Sequence, residues 1–213
     1  MSINNEEITK IKKQLNKAKL IAATKYVGNE ELEELYQAGV INFGENKVQD
    51  FLKKYETFKQ PAHWHFIGTL QPNKVKYIID KVELIHSVDS EKLIKEIDKQ
   101  AKKINKVMPI LLQVNISHEE TKHGFDQSEI FPILSTIQNY PNVLVVGFMT
   151  MAPHIDSKKT RPVFHDLHTL LTQCQNDFPN LPLKELSMGM SNDYNIALEE
   201  GSTLIRVGSR LFK

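Results

Sequence analysis

The chain has 213 residues, of which 40% are apolar, so it is long enough for one domain with a sizeable core. Its 27 basic and 26 acidic residues give a formal net charge of +1, which predicts no general attraction to nucleic acid or to an anionic membrane. No apolar run approaches the length of a membrane span, and the N-terminus lacks the apolar stretch of a secretory signal. With Cys174 as its only cysteine, we expect a cytoplasmic protein without an intrachain disulfide.

Eight short apolar runs alternate with segments of helical periodicity. Several runs are almost continuously apolar, which is typical of strands covered on both faces. The predicted strands are 20–25, 42–46, 64–68, 84–89, 109–115, 143–151, 185–190 and 203–208, and the predicted helices are 30–38, 47–55, 90–104, 128–137, 161–174 and 193–200, after an extra N-terminal helix over 6–17.

This α/β alternation predicts a single (β/α)8 TIM barrel that occupies residues 1–213. The competing architecture is an open doubly wound sheet. Such a sheet normally carries a glycine-rich fingerprint after its first strand, and none follows the segment LIAATK.

The ends of the seventh and eighth predicted strands are rich in small polar residues. These segments read SMGMSND and IRVGSR, and in a barrel the two loops frequently bind a phosphate. Ser191 and Ser209 would supply hydroxyl donors, and Gly208 would let the backbone approach the phosphate closely. Ordinary turns use the same residue types, so the alternative is plain turn chemistry.

Lys25 closes the first predicted strand and has the same parity as Ile21 and Ala23. A side chain that pointed into a confined barrel mouth would lose solvation, and desolvation favours the neutral amine, which can attack an aldehyde. The alternative is a solvated lysine at the end of a strand.

Arg206 lies within the last predicted strand and shares a face with Leu204 and Gly208. We expect its guanidinium to point into the barrel mouth, where a buried cation needs an acceptor. That acceptor would be either a bound ligand or an internal carboxylate, with Glu45 and Asp89 as the candidates.

Other candidate residues favour structural roles. His63 and His65 lie two residues apart, but no third ligand has suitable spacing, so we expect no metal site. Cys174 lies in a helical segment and is typical of a small buried apolar residue. Lys122 either contacts an anion or is a solvated turn residue.

Together these segments resemble the pyridoxal phosphate homeostasis protein family, the YggS-like proteins. The resemblance covers nearly the whole chain, from about Leu20 to Phe212. The matching motifs, in chain order, are AATKYV, NFGENKVQD, HWHFIGTLQPNK, IHSVDS, QVNISHEETKHGF, GFMTMAP, LSMGMSNDY and GSTLIRVGSRLF.

The resemblance implies a barrel like the N-terminal domain of alanine racemase, with pyridoxal 5′-phosphate (PLP) held as a Schiff base on Lys25. It also implies that Arg206 lies against the pyridine nitrogen and that the phosphate lies near Ser191, Gly208 and Ser209. The implied cofactor-binding residues are Lys25, Asn46, His65, Met149, Ser187, Met188, Ser191, Arg206, Gly208 and Ser209.

The implied function is PLP homeostasis, as a carrier or buffer that serves apo PLP-dependent enzymes without robust turnover. Arg206 is a poor acid and would leave the pyridine nitrogen unprotonated, which weakens the ring as an electron sink. The sequence also ends at Lys213 after the last predicted strand, so we expect no β-domain like that of alanine racemase and favour a monomer. The alternatives are a PLP-dependent amino-acid racemase or decarboxylase, and a phosphate-binding barrel that uses no PLP.

Overall fold

The computed structural model describes residues 2–117, 123–152 and 157–213. Eight parallel strands form a closed barrel in the order β1 to β8, and β1 is hydrogen-bonded to β8 as well as to β2. The predicted (β/α)8 barrel is therefore confirmed. Lys122 lies outside the described residues.

The strands and helices follow the predicted alternation. The strands are β1 Lys19–Ala23, β2 Asn42–Glu45, β3 His63–Phe66, β4 Leu84–Val88, β5 Met108–Gln113, β6 Val143–Met149, β7 Glu185–Ser187 and β8 Leu204–Val207. The helices are α1 Asn5–Gln14, α2 Asn29–Gln37, α3 Val48–Thr57, α4 Glu91–Lys103, α5 Ile130–Thr136, α6 Ser157–Asp177 and α7 Tyr194–Glu199. A 3-10 helix, Pro72–Tyr77, connects β3 to β4. Within the described ranges, no helix combines the length and apolar character needed to cross a bilayer.

The strands end earlier than the sequence pattern predicts. The largest difference is in β7, where the prediction continues to residue 190 but the strand stops at Ser187. Gly189 has a φ of +93°, and a Cβ atom there would lie 2.5 Å from the Cβ of Ala197. The chain thus turns out of the sheet at a position suited to glycine, and the following residues form the mouth of the barrel.

Alternate residues along each strand pack into two layers. Side chains such as Phe43, Phe66 and Ile205 are fully buried in the layer between the barrel and its helices. A smaller apolar cluster fills part of the barrel interior and consists of Ile21, Leu84, Leu111, Val146, Met149 and Leu204. This alternation places Arg206 in the interior set with Leu204, as the period of two predicts.

The N-terminal helix α1 is anchored to the end of the chain. The Asn4 N–H donates to the Leu211 carbonyl at 2.7 Å, and the Glu7 carboxylate lies 2.8 Å from the Arg210 guanidinium. A backbone bridge also joins Ile3 to Phe212. The extra helix therefore supports the segment that follows β8, which is one wall of the barrel mouth.

Candidate functional site

A cavity of about 240 Å³ opens at the carboxyl end of the barrel. Its lining comes from the ends of six strands, β1, β2, β3, β6, β7 and β8. The lining residues are Ala23, Lys25, Asn46, Ile67, Met151, Met190, Ser191, Asn192, Asp193, Arg206, Gly208 and Ser209. This is the end of a TIM barrel at which ligands bind.

The structure brings six of the ten expected cofactor-binding residues to this cavity: Lys25, Asn46, Ser191, Arg206, Gly208 and Ser209. The other four do not line it. Met149 and Ser187 are fully buried inside the barrel, Met188 is buried in the outer layer, and His65 lies deeper in the interior. Six further lining residues were not among those expected, although each lies within or beside a quoted motif: Ala23, Ile67, Met151, Met190, Asn192 and Asp193.

Lys25 is exposed, which agrees with the alternative of a solvated lysine at the end of a strand rather than with a desolvated amine. It stands two residues beyond the end of β1, and its Nζ lies 5.7 Å from the centre of the Tyr26 ring. Tyr26 has a φ of +70° and is 84% exposed. The chain therefore turns sharply just after Lys25, and the amine is open to solutes that enter the cavity.

A buried ion pair lies behind Lys25 and joins the ends of β1 and β2. The Lys54 ammonium donates to Glu45 Oε1 and to the Thr24 carbonyl, both at 2.5 Å. Thr24 Oγ1 also donates to Glu45 Oε1 at 2.5 Å. Since Thr24 and Glu45 directly precede Lys25 and Asn46, the pair holds the backbone from which both cavity residues project.

Asn46 presents an acceptor that has no partner. Its Oδ1 is buried and makes no hydrogen bond within the described part of the chain. A Cβ at Gly68 would lie 2.2 Å from the Asn46 carbonyl oxygen, so only glycine lets the β3 loop pass this close. A buried acceptor that lines a cavity is satisfied when a ligand supplies a donor.

Arg206 lies at the cavity and is only 5% exposed. Its guanidinium donates to Ser187 Oγ at 2.5 Å and to the Thr150 carbonyl at 2.9 Å. Burial lowers the pKa of Arg206 to about 10, an effect that the Asp193 carboxylate opposes.

Of the two alternatives for Arg206, a salt bridge to Glu45 or Asp89 is not found. Glu45 pairs with Lys54, and the Asp89 carboxylate lies 3.7 Å from His123 Nδ1. The two hydrogen bonds of Arg206 within the described residues go to neutral oxygens.

His65 has the hydrogen-bonding role that the sequence favoured. Its Nδ1 lies 3.0 Å from His86 Nε2, and its Nε2 lies 3.4 Å from Asn42 Oδ1. His86 Nδ1 in turn lies 2.7 Å from Ser187 Oγ. Burial lowers the pKa of His65 to about 3 and the pKa of His86 well below its usual value, so both rings are neutral.

The loops after β7 and β8 meet at one side of the cavity. The Gly208 N–H donates to Ser191 Oγ at 3.3 Å, so the two predicted phosphate-binding loops are in direct contact. Gly208 has a φ of −120°, which any residue can adopt. The helix after β7 begins at Tyr194, and the Met190 N–H donates to the Asp193 carboxylate at 2.5 Å.

Comparison with known proteins places this barrel in a family. Residues 5–213 match the family model described as alanine racemase, N-terminal domain. The pyridoxal phosphate homeostasis protein of Aquifex aeolicus (strain VF5) is 45% identical over 199 residues, which are 92% of this chain and 87% of that protein. This chain belongs to the pyridoxal phosphate homeostasis protein family.

Solved structures agree with membership of the pyridoxal phosphate homeostasis protein family. PipY of Synechococcus elongatus PCC7942 without PLP is 34% identical with a TM-score of 0.92, over 98% of this chain and 99% of that chain. The PLP-bound structure of PipY is 33% identical with a TM-score of 0.89, over the same shares of the two chains. Alanine racemase from Corynebacterium glutamicum is 14% identical with a TM-score of 0.75, over 99% of this chain and 61% of that chain. The last similarity shows the shared fold alone.

Proposed function

We propose that this chain binds PLP through a covalent bond to Lys25 and acts as a carrier or buffer of the cofactor in PLP homeostasis. The observation that carries the proposal is an exposed primary amine that shares one cavity with a buried guanidinium and a pair of contacting polar loops. When bound, PLP supplies an aldehyde that condenses with a primary amine and releases water. PipY, a relative of similar length, has been solved with PLP bound.

The residues present fit the groups of this cofactor. The orphaned Asn46 Oδ1 can accept a hydrogen bond from a ring hydroxyl. Arg206 can donate to an aromatic nitrogen from its fixed position at the cavity. Ser191 and Ser209 lie together at this cavity beside Gly208, and their hydroxyl groups can donate hydrogen bonds to a phosphate.

The same geometry supports a carrier rather than an enzyme with robust turnover. With a pKa of about 10, Arg206 stays charged at neutral pH and holds its protons. Asp193 lines the cavity, but one of its oxygens already accepts the Met190 N–H. Lys25 is exposed, so amines from solution can reach the carbon that would be bonded to its nitrogen and take the place of the lysine amine there. The proposed recipients are apo PLP-dependent enzymes.

Borohydride reduction of the PLP-loaded protein tests the covalent bond. We expect the reduced adduct to map to the peptide that contains Lys25, and to be lost in Lys25→Ala. Lys47→Ala is the matched control, because Lys47 is an exposed lysine two residues beyond the end of β2, as Lys25 is beyond β1. An adduct that survives Lys25→Ala or maps to another lysine would contradict the proposal.

Transfer experiments test the carrier role. The loaded protein is mixed with an apo PLP-dependent enzyme, and recovery of its activity is compared with that produced by the same amount of free PLP. We expect activation by the loaded protein and no amino-acid racemisation or decarboxylation at enzyme-like rates. Lys25-dependent turnover at such rates would favour the alternative of a PLP enzyme.

A further inference from the structure

A chain of hydrogen-bonded side chains crosses the barrel interior and ends on Arg206. It runs from Asn42 on β2 through His65 on β3, His86 on β4 and Ser187 on β7 to the guanidinium on β8. His65, His86, Ser187 and Arg206 are all at most 6% exposed. These buried polar side chains thus share the barrel interior with the apolar cluster.

The donors and acceptors along this chain can be assigned from one end. Arginine only donates, so Ser187 Oγ accepts from Arg206. If His86 also donated to Ser187, the serine proton would be buried without an acceptor, because Arg206 and His86 are the two partners of that oxygen among the residues that the structure describes. Ser187 therefore donates to His86 Nδ1.

The remaining links follow the same direction. His86 carries its proton on Nε2 and donates it to His65 Nδ1. His65 then carries its proton on Nε2 and donates it to Asn42 Oδ1. Every proton between Arg206 and Asn42 has an acceptor in this arrangement, which requires both imidazoles to be neutral.

We propose that His86 is a positioning residue that holds Arg206 at the cavity through Ser187, and that His65 and Asn42 set its tautomer. The position of the guanidinium matters to a ligand only if PLP binds as proposed above, so the inference rests on that function. The charged or titratable groups that act on the two rings are Lys19 and His63 for His65, and His65 and Arg206 for His86. Each of these groups disfavours a second proton on the imidazole that it acts on, which keeps His86 an acceptor for Ser187.

The tautomers can be measured in the protein without any cofactor. Two-bond ¹H–¹⁵N correlation spectra of histidine-labelled protein at pH 7 report which ring nitrogen carries the proton, and the spectra of His65→Gln and His86→Asn assign the signals. We expect protonated Nε2 and bare Nδ1 in both His65 and His86. A proton on Nδ1 of His86, or a doubly protonated ring, would overturn the inference.

Binding of PLP tests the effect on Arg206. We expect His86→Leu and Ser187→Ala to bind PLP about tenfold more weakly than wild type, the loss expected from releasing one charge-assisted hydrogen bond. In His86→Asn the side-chain oxygen would lie close to the position of Nδ1 and could accept from Ser187. We therefore expect this variant to recover most of the affinity for PLP. Leu84→Met is the matched control, because Leu84 packs in the barrel interior on the same strand and contributes no polar atom.

The outcomes separate this inference from the proposed function. Wild-type affinity in His86→Leu, or no recovery in His86→Asn, would overturn the inference while the borohydride adduct on Lys25 still stood. If the wild-type protein bound no PLP, the proposed function would fail, and the tautomers in the ligand-free protein would decide the direction of the hydrogen-bond chain.

Discussion

Two buried cations lie on different sides of the barrel's carboxyl end, and their partners differ. Lys54 is 9% exposed and contacts the carboxylate of Glu45, which is 1% exposed. Arg206 is 5% exposed and contacts a serine hydroxyl and a backbone carbonyl. The first cation is thus in direct contact with a carboxylate, while the hydrogen bonds of the second within the described residues go to neutral oxygens, although the Asp193 carboxylate also acts on it.

The two cations therefore differ in role: Lys54 supports the wall of the cavity, and Arg206 is available to a ligand. The Lys54–Glu45 pair lies behind the cavity and holds the backbone next to Lys25 and Asn46. The guanidinium of Arg206 lines the cavity, and its position depends on a polar chain through the barrel interior. A buried cation with neutral partners keeps an electrostatic preference for an electron-rich ligand atom. Three predictions test the contrast.

The largest effect is expected at the compensated pair. Glu45→Leu leaves the Lys54 ammonium buried beside an apolar group and should lower the free energy of unfolding by about 4 kcal/mol. Glu45→Leu/Lys54→Met removes both charges and should recover most of that loss. Urea unfolding curves give both values. Equal stability of the single and double variants would show that the charge on Lys54 needs no internal partner.

Lowering the pH should destabilise the protein through the two neutral histidines of the barrel interior, His65 and His86. Burial holds the pKa of His65 at about 3 and the pKa of His86 well below 6.5. As the pH falls, the unfolded chain therefore binds protons on these two rings that the folded chain does not bind. The stability they contribute is complete above pH 6.5 and is lost as the pH falls. Each ring lowers the free energy of unfolding by up to about 1.4 kcal/mol per pH unit. The two rings together should therefore lower it by about 3 kcal/mol between pH 6.5 and pH 5.

Unfolding in urea over this pH range measures that slope. His65→Gln/His86→Asn lacks both titrating rings and should show a markedly flatter profile than wild type. A profile as steep as that of wild type would mean that the two imidazoles are not the source of the acid sensitivity.

The smallest change in stability is expected for Arg206→Met. Replacing a buried cation whose hydrogen bonds within the described ranges go to neutral oxygens by an apolar side chain of similar length should alter the free energy of unfolding by about 1 kcal/mol or less. Affinity for PLP should nevertheless fall at least about tenfold, because a charge-assisted contact to the ligand is lost. Urea unfolding and PLP titration measure the two effects. A loss of stability as large as that of Glu45→Leu would abolish the distinction between the two cations.

The hydrophobic pattern was sufficient to predict the barrel and to mark Lys25, Arg206 and the loops with Ser191, Gly208 and Ser209 as candidates, while Asn46 was implied by the family resemblance. Strand and helix periodicity is a local property, and the carboxyl ends of parallel strands must meet on one face. Parity also placed Arg206 inside the barrel correctly. The strand ends were less accurate, because the turn at Gly189 depends on close packing against Ala197 rather than on local hydrophobicity.

The partners of the buried polar groups could not be predicted in this way. His86 faces inward with the parity of Leu84, so the sequence could have marked it as an interior polar residue, but its partner Ser187 lies 101 positions away. His65 was expected beside the cofactor ring and lies deeper in the barrel. Such contacts depend on how the closed sheet staggers its strands, which no local pattern specifies.

The amino-acid sequence alone was enough to identify the fold, the family motifs and the two side chains, Lys25 and Arg206, on which the proposed function depends. The folded barrel was needed to see that Lys25 is exposed while Arg206 is buried, that Glu45 pairs with Lys54, and that two histidines connect Arg206 to Asn42 on β2. The reason is physical: periodicity is encoded in neighbouring residues, whereas solvation and pairing of charges are set by groups that barrel closure brings together.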